Sequence, residues 1–327
     1  MVVVVGAGSW GTVVARMLSA EGRPVRLLCR TAAQAEALGR ERRNVRYAPD
    51  LELPEALEVG HLLAPEALDG ASLVVLAVPS RATADAAGWL VPRLPPGAAV
   101  LSLTKGLDPA SGRRLSEAWG SALPAGSRFA VLSGPNHAEE VAAGQPTAAV
   151  VAGEATLCEV VQDLFGGSRF RVYLNDDLVG VELCAAAKNV IAIAAGMSDG
   201  MGFGDNAKAS LITRGLAEMT RLGLAHGARP ATFQGLAGMG DLVATCTSLH
   251  SRNRHAGELI ARGLPAERVE GRLGQVAEGL WTVHNLLRLA EAAGEELPIS
   301  AEVAAALAGK PVAECLEDLM ARAPATE

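Results

Sequence analysis

The chain has 327 residues, half of them hydrophobic and a fifth charged, with a formal net charge of -7 at pH 7. That length suffices for about two domains, each burying its own core, and the acidic balance offers no basic footprint for nucleic acid. Cys29, Cys158, Cys184, Cys246 and Cys315 are scattered without metal-ligand or Cys-x-x-Cys spacing, so they read as reduced core residues of a cytoplasmic protein that holds no metal.

Met1–Val5 supplies four consecutive valines, the pattern of a buried parallel strand, without the basic region of a signal peptide. The valines run straight into Gly6-Ala7-Gly8-Ser9-Trp10-Gly11 and then a helix-compatible run over Thr12–Ala20. In such a strand–turn–helix, Gly6 permits the tight turn, Gly8 lets backbone approach a pyrophosphate, and Gly11 lets helix and strand pack closely. The pyrophosphate would rest on the free N–H groups and positive dipole end of the helix. Pro24–Arg30 reads as a second strand. Its end carries Arg30 where an NAD-selective site has a carboxylate for the ribose 2′-hydroxyl, and a guanidinium suits the 2′-phosphate of NADP. A solvated loop arginine is the alternative.

Residues 31–69 read as a helix, then proline-rich connections and a short strand around Leu62. Three short apolar runs follow: Ala71–Val78 ends in Pro79-Ser80-Arg81, Ala98–Leu103 in Thr104-Lys105-Gly106, and Arg128–Leu132 in Ser133-Gly134-Pro135-Asn136-His137. In an open parallel sheet, ligands bind outside the carboxyl ends of the strands, where these clusters fall. Thr147–Ala152 and Phe170–Leu174 complete the sheet. The expected fold is therefore α/β: a Rossmann-type dinucleotide-binding domain over residues 1–177, followed by an all-α substrate-binding and catalytic domain over 178–327. No stretch approaches the ~18–20 uninterrupted apolar residues of a membrane span, so no integral membrane contact is expected. The tail past Ala321 is expected to be frayed.

In the second half, helices are expected over Leu178–Met197 and Lys208–Leu224, from Ser251 to just before Gly263, and over Leu280–Ala293. Gly235–Gly240 is expected to be a loop opening a short helix, and Gly271–Gly279 a glycine-punctuated turn. Only four of the 29 basic side chains are lysine: Lys105, Lys188, Lys208 and Lys310. Lys188 stands among alanines and branched aliphatics, where desolvation lowers an ammonium pKa and prepares the amine to move protons. Ser251-Arg252-Asn253 at a helix start reads as an anion site, with capping by Ser251 beside surface arginines as the plainer alternative. Asp241, in Gly238-Met239-Gly240-Asp241, is open between pairing with Lys188 and capping.

These stations together resemble the NAD(P)-dependent sn-glycerol-3-phosphate dehydrogenases of the bacterial cytosolic type. The resemblance runs through Gly6–Thr12, Val78-Pro-Ser80, Thr104-Lys-Gly106, Ser133-Gly-Pro135, Lys188-Asn189, Gly238–Leu242, Ser251–Arg254 and Glu278-Gly279. It implies an oxidoreductase that interconverts dihydroxyacetone phosphate and sn-glycerol 3-phosphate with NAD or NADP, supplying glycerophospholipid synthesis. By resemblance, Lys188 is the proton acceptor, and Ser9, Trp10, Arg30, Lys105, Ala138, Arg252, Val276 and Glu278 line the cofactor site with the three glycines. Lys105, Gly134, Asn136, Lys188, Asp241, Thr245, Ser251, Arg252 and Asn253 are implied for the small phosphorylated three-carbon substrate, and a homodimer is an open expectation. One departure stands out: bacterial members usually carry Ser or Thr and then Phe where this chain has Asn136-His137. The rivals are a dehydrogenase of the same architecture acting on a 3-hydroxy acid or 6-phosphogluconate, and a non-catalytic dinucleotide sensor.

Overall fold

The computed structural model describes residues 1–167 and 169–322, so most of the tail past Ala321 lies outside the described residues. The chain divides into two compact units, one of residues 1–104 with 116–178, the other of residues 105–115 with 179–327. This differs from the expected boundary at 177 chiefly because Lys105–Leu115 groups with the second unit. The attachment is built from side chains far apart in sequence. Asn189 donates to the Lys105 carbonyl (3.1 Å), Asn285 donates to the Asp108 carbonyl (3.2 Å), and Arg114 pairs with Glu182 (3.1 Å).

The first unit runs β1 (Val2–Val5), α1 (Ser9–Ala20), β2 (Val25–Cys29), α2 (Ala32–Glu41), β3 (Arg43–Asn44), β4 (Ala48–Glu52), β5 (Glu58–His61), β6 (Leu73–Leu76) and α3 (Thr83–Leu90). It continues with β7 (Ala99–Ser102), α4 (Leu115–Ala122), β8 (Phe129–Ser133), α5 (Ala138–Ala142), β9 (Thr147–Gly153), α6 (Ala155–Phe165) and β10 (Phe170–Asn175). Among the described residues, eight strands form one sheet in the order β10-β9-β8-β7-β6-β1-β2-β5, while β3 and β4 make a separate hairpin. All four valines of β1 are buried, and β1 pairs in parallel with β2 on one side and β6 on the other. The chain therefore switches direction of travel across the sheet at β1, which places a crevice at its carboxyl end.

The sheet is mostly parallel, but not wholly so. β9 runs antiparallel to β8, and β10 parallel to β9. Helix length accounts for both. The five residues of α5 rise only about 7.5 Å, too little to carry the chain back along β8, so β9 starts at the end where β8 stopped. α6, with 11 residues, is long enough for a crossover, and β10 follows in the same sense as β9.

The second unit is helical: α7 (Leu178–Gly200), α8 (Asp205–Ala225), α9 (Pro230–Gln234), α10 (Asp241–Thr247), α11 (Arg252–Ala261), α12 (Ala266–Leu273), α13 (Gly279–Ala293), α14 (Pro298–Leu307) and α15 (Val312–Ala321). Leu236–Gly240, expected as a loop, is a π-helical turn, and α12 occupies part of the expected Gly271–Gly279 turn.

α7 is the axis of this unit. Its 23 residues are long and apolar enough to cross a bilayer by length and composition, although Glu182, Lys188 and Asn189 interrupt the apolar run. Within this protein, however, 89% of the apolar window is buried. A helix apolar on every side is covered on every side here, and glycines set the closeness of its neighbours. A Cβ on Gly196 would fall 1.8 Å from the Arg254 carbonyl oxygen, one on Gly257 2.0 Å from the Ile193 oxygen, and one on Gly279 2.6 Å from the Asn189 oxygen. α11 and the start of α13 therefore lie backbone to backbone against α7, on the stretch that follows Lys188.

Candidate active site

In the first unit the carboxyl ends of β1, β2, β6, β7 and β8 share one edge of the sheet. Gly6, Gly8 and Gly11 follow β1, Arg30 follows β2, and Gly134, Asn136 and Ala138 follow β8.

The three glycines answer to different constraints. Gly6 has φ +111°, and a Cβ there would meet the Ala77 carbonyl oxygen at 2.6 Å; a Cβ on Gly11 would stand 1.9 Å from the Gly6 oxygen. Both are required by the protein itself. Gly8 is not: its φ is -82°, and a Cβ would meet nothing within 4 Å. The space before Gly8 opens at the first turn of α1, whose N-terminus no side chain caps. Uncapped N–H groups, the positive end of a 12-residue helix and room for close approach fit a dinucleotide pyrophosphate. The turn is held from behind: Asn44, buried in β3, donates to the Ala7 carbonyl (3.0 Å) and to Thr12 Oγ1 (2.7 Å). Sequence reading passed over Asn44 because the hairpin that carries it was not foreseen.

Trp10 packs against the first unit's core and stacks on Phe170 with ring centroids 6.3 Å apart, while its buried indole Nε1 has no hydrogen-bond partner among the described residues. Ser9, next to it, begins α1. Arg30 is exposed, and among the described residues no carboxylate pairs with it, which leaves it available to an anionic group. Gly134 has φ +146°, with the Ala149 backbone 2.9 Å from where its Cβ would be; Asn136 is buried, and Ala138 opens α5.

In the second unit, Lys105, Lys188, Asp241 and Thr245 form one cluster. Lys188 Nζ lies 2.5 Å from Asp241 Oδ1 and donates to Thr245 Oγ1 at 2.9 Å. Lys105 Nζ lies 3.0 Å from Asp241 Oδ2, and the Thr245 hydroxyl donates to the Asp241 carbonyl at 2.5 Å. Asp241 thus bridges two ammonium groups from the first residue of α10, and it is not a cap. Lys188 is 4% exposed. Desolvation is the largest influence on it, outweighing the attraction of Asp241 and assisted by the Lys105 charge, and together they bring its pKa down from 10.5 to about 7. The Asp241 carboxyl is desolvated as well, but Lys105 and Lys188 outweigh that burial and hold it below its ordinary value. The site therefore has an amine poised to gain or lose a proton near neutrality beside a carboxylate that stays ionised.

Next to Lys188, Asn189 starts a line of amides. Its side chain donates to the Lys105 carbonyl (3.1 Å), its Oδ1 accepts from Asn253 Nδ2 (2.9 Å), and Asn253 Oδ1 accepts from the Gly279 N–H (2.9 Å). Asn253 is thus bound at both ends of its amide within the protein, an arrangement that its reading as a substrate contact did not foresee. Ser251 caps α11 by accepting from the Arg254 N–H (3.2 Å). Arg252 is exposed at the first position of that helix. Val276 and Glu278 are half-buried in the connection to α13, which Glu270 steadies by accepting from the Ala277 N–H (3.2 Å) and the Trp281 indole (3.0 Å).

The comparisons agree along the whole chain. Residues 1–158 match the NAD-dependent glycerol-3-phosphate dehydrogenase N-terminus family, and residues 177–317 match the corresponding C-terminus family. A glycerol-3-phosphate dehydrogenase (NAD(P)+) of Chlorobium phaeobacteroides is 45% identical over 331 residues, covering 100% of this chain and 99% of the relative. One from a Parafrankia strain is 48% identical over 328 residues, covering 99% and 98%. The crystal structure of glycerol-3-phosphate dehydrogenase from Coxiella burnetii superposes with a TM-score of 0.94 at 37% identity, covering 98% of each chain.

Proposed function

Because the chain belongs to the NAD-dependent glycerol-3-phosphate dehydrogenase family, we propose that it interconverts dihydroxyacetone phosphate and sn-glycerol 3-phosphate, with Lys188 as general acid and base. The observation that carries the reading is the buried Lys188–Asp241–Lys105 cluster, which holds an amine with a pKa near 7 on an ionised carboxylate. NAD and NADP are the cofactors of the family, and the open, uncapped turn at Gly8 is built to receive their pyrophosphate.

Reduction of a ketone needs hydride at carbon and a proton at oxygen. The nicotinamide dinucleotide supplies the hydride when bound. The Lys188 ammonium gives its proton to the oxygen as negative charge builds there, and in the oxidative direction the neutral amine takes the hydroxyl proton back. Asp241 balances the charge of Lys188 and fixes its direction. Lys105 adds a second positive group to polarise the carbonyl. The first turn of α11 binds the phosphate through its N–H groups, the Ser251 hydroxyl and the Arg252 guanidinium. Asn253 serves there by joining α11 to Asn189. Gly134 and Asn136 are assigned to the substrate, and Ala138, Val276 and Glu278 to the cofactor, by family resemblance. Supply of glycerol 3-phosphate to glycerophospholipid synthesis in the cytoplasm belongs to the same proposal.

The test is oxidation of NADPH, with NADH alongside, on dihydroxyacetone phosphate by the wild type and Lys188→Ala. General acid–base catalysis contributes about 10²–10⁴-fold, so the variant loses turnover by that order while its NADPH affinity, measured by fluorescence, is unchanged. Wild-type-like turnover by Lys188→Ala refutes the assignment of the base.

A further inference from the structure

Beside the cluster just described, the second unit holds another set of charges that the reaction as proposed does not use. Asp199, in the last turn of α7, receives Arg254 Nε on Oδ2 (2.6 Å) and Lys208 Nζ on Oδ1 (2.7 Å). Arg254 extends the network to Glu258 through Nη2 (2.8 Å). The side chains of Asp199 and Arg254 are each 11% exposed, so neither pairing is a loose surface contact.

Arg254 is the third residue of α11, directly after Arg252 and Asn253, and Ser251 Oγ caps its N–H. Its backbone lies on Gly196 of α7, its side chain on Asp199, and its neighbour Asn253 on Asn189. The first turn of α11 is thus fastened at three places along the helix that carries Lys188. We propose that Asp199 is a positioning residue for phosphate binding, holding the Ser251–Asn253 turn through Arg254 at a fixed register to Lys188. The proposal rests on the reading of that turn as the phosphate site.

Geometry and simple electrostatics predict opposite signs here. If Asp199 acted only through its charge, removing a carboxylate near an anion site would strengthen phosphate binding. If it acts by holding Arg254, its removal weakens binding, because the turn is no longer fixed. The KM for dihydroxyacetone phosphate of Asp199→Asn is expected to rise about tenfold, equivalent to roughly 1.4 kcal/mol. Inhibition by inorganic phosphate weakens in step, while kcat and NADPH affinity stay within about twofold of wild type on the same scale. A role confined to general stability would lower the melting temperature without this division between KM and kcat.

Arg254→Lys supplies an arm that conserves charge. It loses the guanidinium fork joining Asp199 and Glu258, so electrostatics predicts no change and positioning predicts a raised KM. If Asp199→Asn does not fold, this variant decides. An unchanged or lowered KM in Arg254→Lys, or in a folded Asp199→Asn, overturns the inference. Arg252→Ala separates the two levels: an unchanged KM there removes the phosphate site itself, whereas a raised KM with Arg254→Lys unaffected removes only the role of Asp199.

Discussion

Asp241→Asn tests the proposed chemistry most directly, because one carboxylate sits on both lysines. The substitution keeps the size and shape of the side chain and removes the charge 2.5 Å from Lys188 Nζ and 3.0 Å from Lys105 Nζ. Removing one partner of a buried ion pair costs on the order of 3–5 kcal/mol, and one pKa unit corresponds to about 1.4 kcal/mol. If local relaxation absorbs half of that, the Lys188 pKa falls by about one to two units. The fall starts from about 7, where burial and the Lys105 charge already oppose the attraction of Asp241.

The sign follows from which form is used. Ketone reduction consumes the ammonium, so the wild-type rate is full at acid pH and falls as pH rises through about 7. Alcohol oxidation consumes the neutral amine, so its rate falls as pH drops through the same value. In Asp241→Asn both limbs move to lower pH, and reduction at pH 7 drops by about five- to fiftyfold. The assay is the initial rate of NADPH oxidation across about pH 5.5–9, with the reverse reaction measured over the same range. The apparent values belong to the coupled cluster as a whole and not to one nitrogen. Limbs that stay in place while the variant folds and binds NADPH would refute Lys188 as the titrating acid.

The glycines of the first turn separate in a second test. Gly8→Ala keeps the melting temperature of the wild type and loses dinucleotide affinity, because its Cβ meets only open space; Gly11→Ala fails to fold stably, because its Cβ would stand 1.9 Å from the Gly6 oxygen. Arg30→Asp penalises NADPH more than NADH in KM, and equal penalties would remove the 2′-phosphate contact. Glu218 is buried in α8 and accepts the Ile299 and Ser300 N–H groups and the Ser300 hydroxyl, closing the N-terminus of α14. Glu218→Gln turns an amide donor toward one of those donors, costs about 1–3 kcal/mol, lowers the melting temperature by several degrees, and leaves the substrate KM unchanged.

Most of the sheet was legible because β1, β6, β7 and β8 are short apolar runs that stop in small or polar clusters, and one-dimensional patterning records that directly. The β3–β4 hairpin was not, since Arg43-Asn44 and the exposed, proline-containing β4 carry no alternation to read. The reversal of β9 was also hidden, because it depends on the length of α5 and not on the residues of β9. At the site, the apolar company of Lys188 was visible in sequence, and so was the scarcity of lysine. The pairing of Asp241 with Lys188 was one of the two readings open in sequence, but the other partners that fix these groups were not legible. Asn189 meets Lys105 across 84 residues, and Asn285 meets Asp108 across 177. Asp199 carries no local signal beyond being an acid in the last turn of an apolar helix. Its significance exists only where α7, α8 and α11 converge.

The excursion of Lys105–Leu115 makes the two halves poor interchangeable parts. A dinucleotide module cut as one contiguous piece from the N-terminus would carry away Lys105, and with it one of the two cations on Asp241. A helical half expressed alone from residue 179 would lack Lys105, Asp108 and Arg114, and so leave Asn189, Asn285 and Glu182 without those partners. The same residues make shuffling by simple fusion unproductive at this site. A graft that preserves the chemistry has to move two separate stretches of gene together.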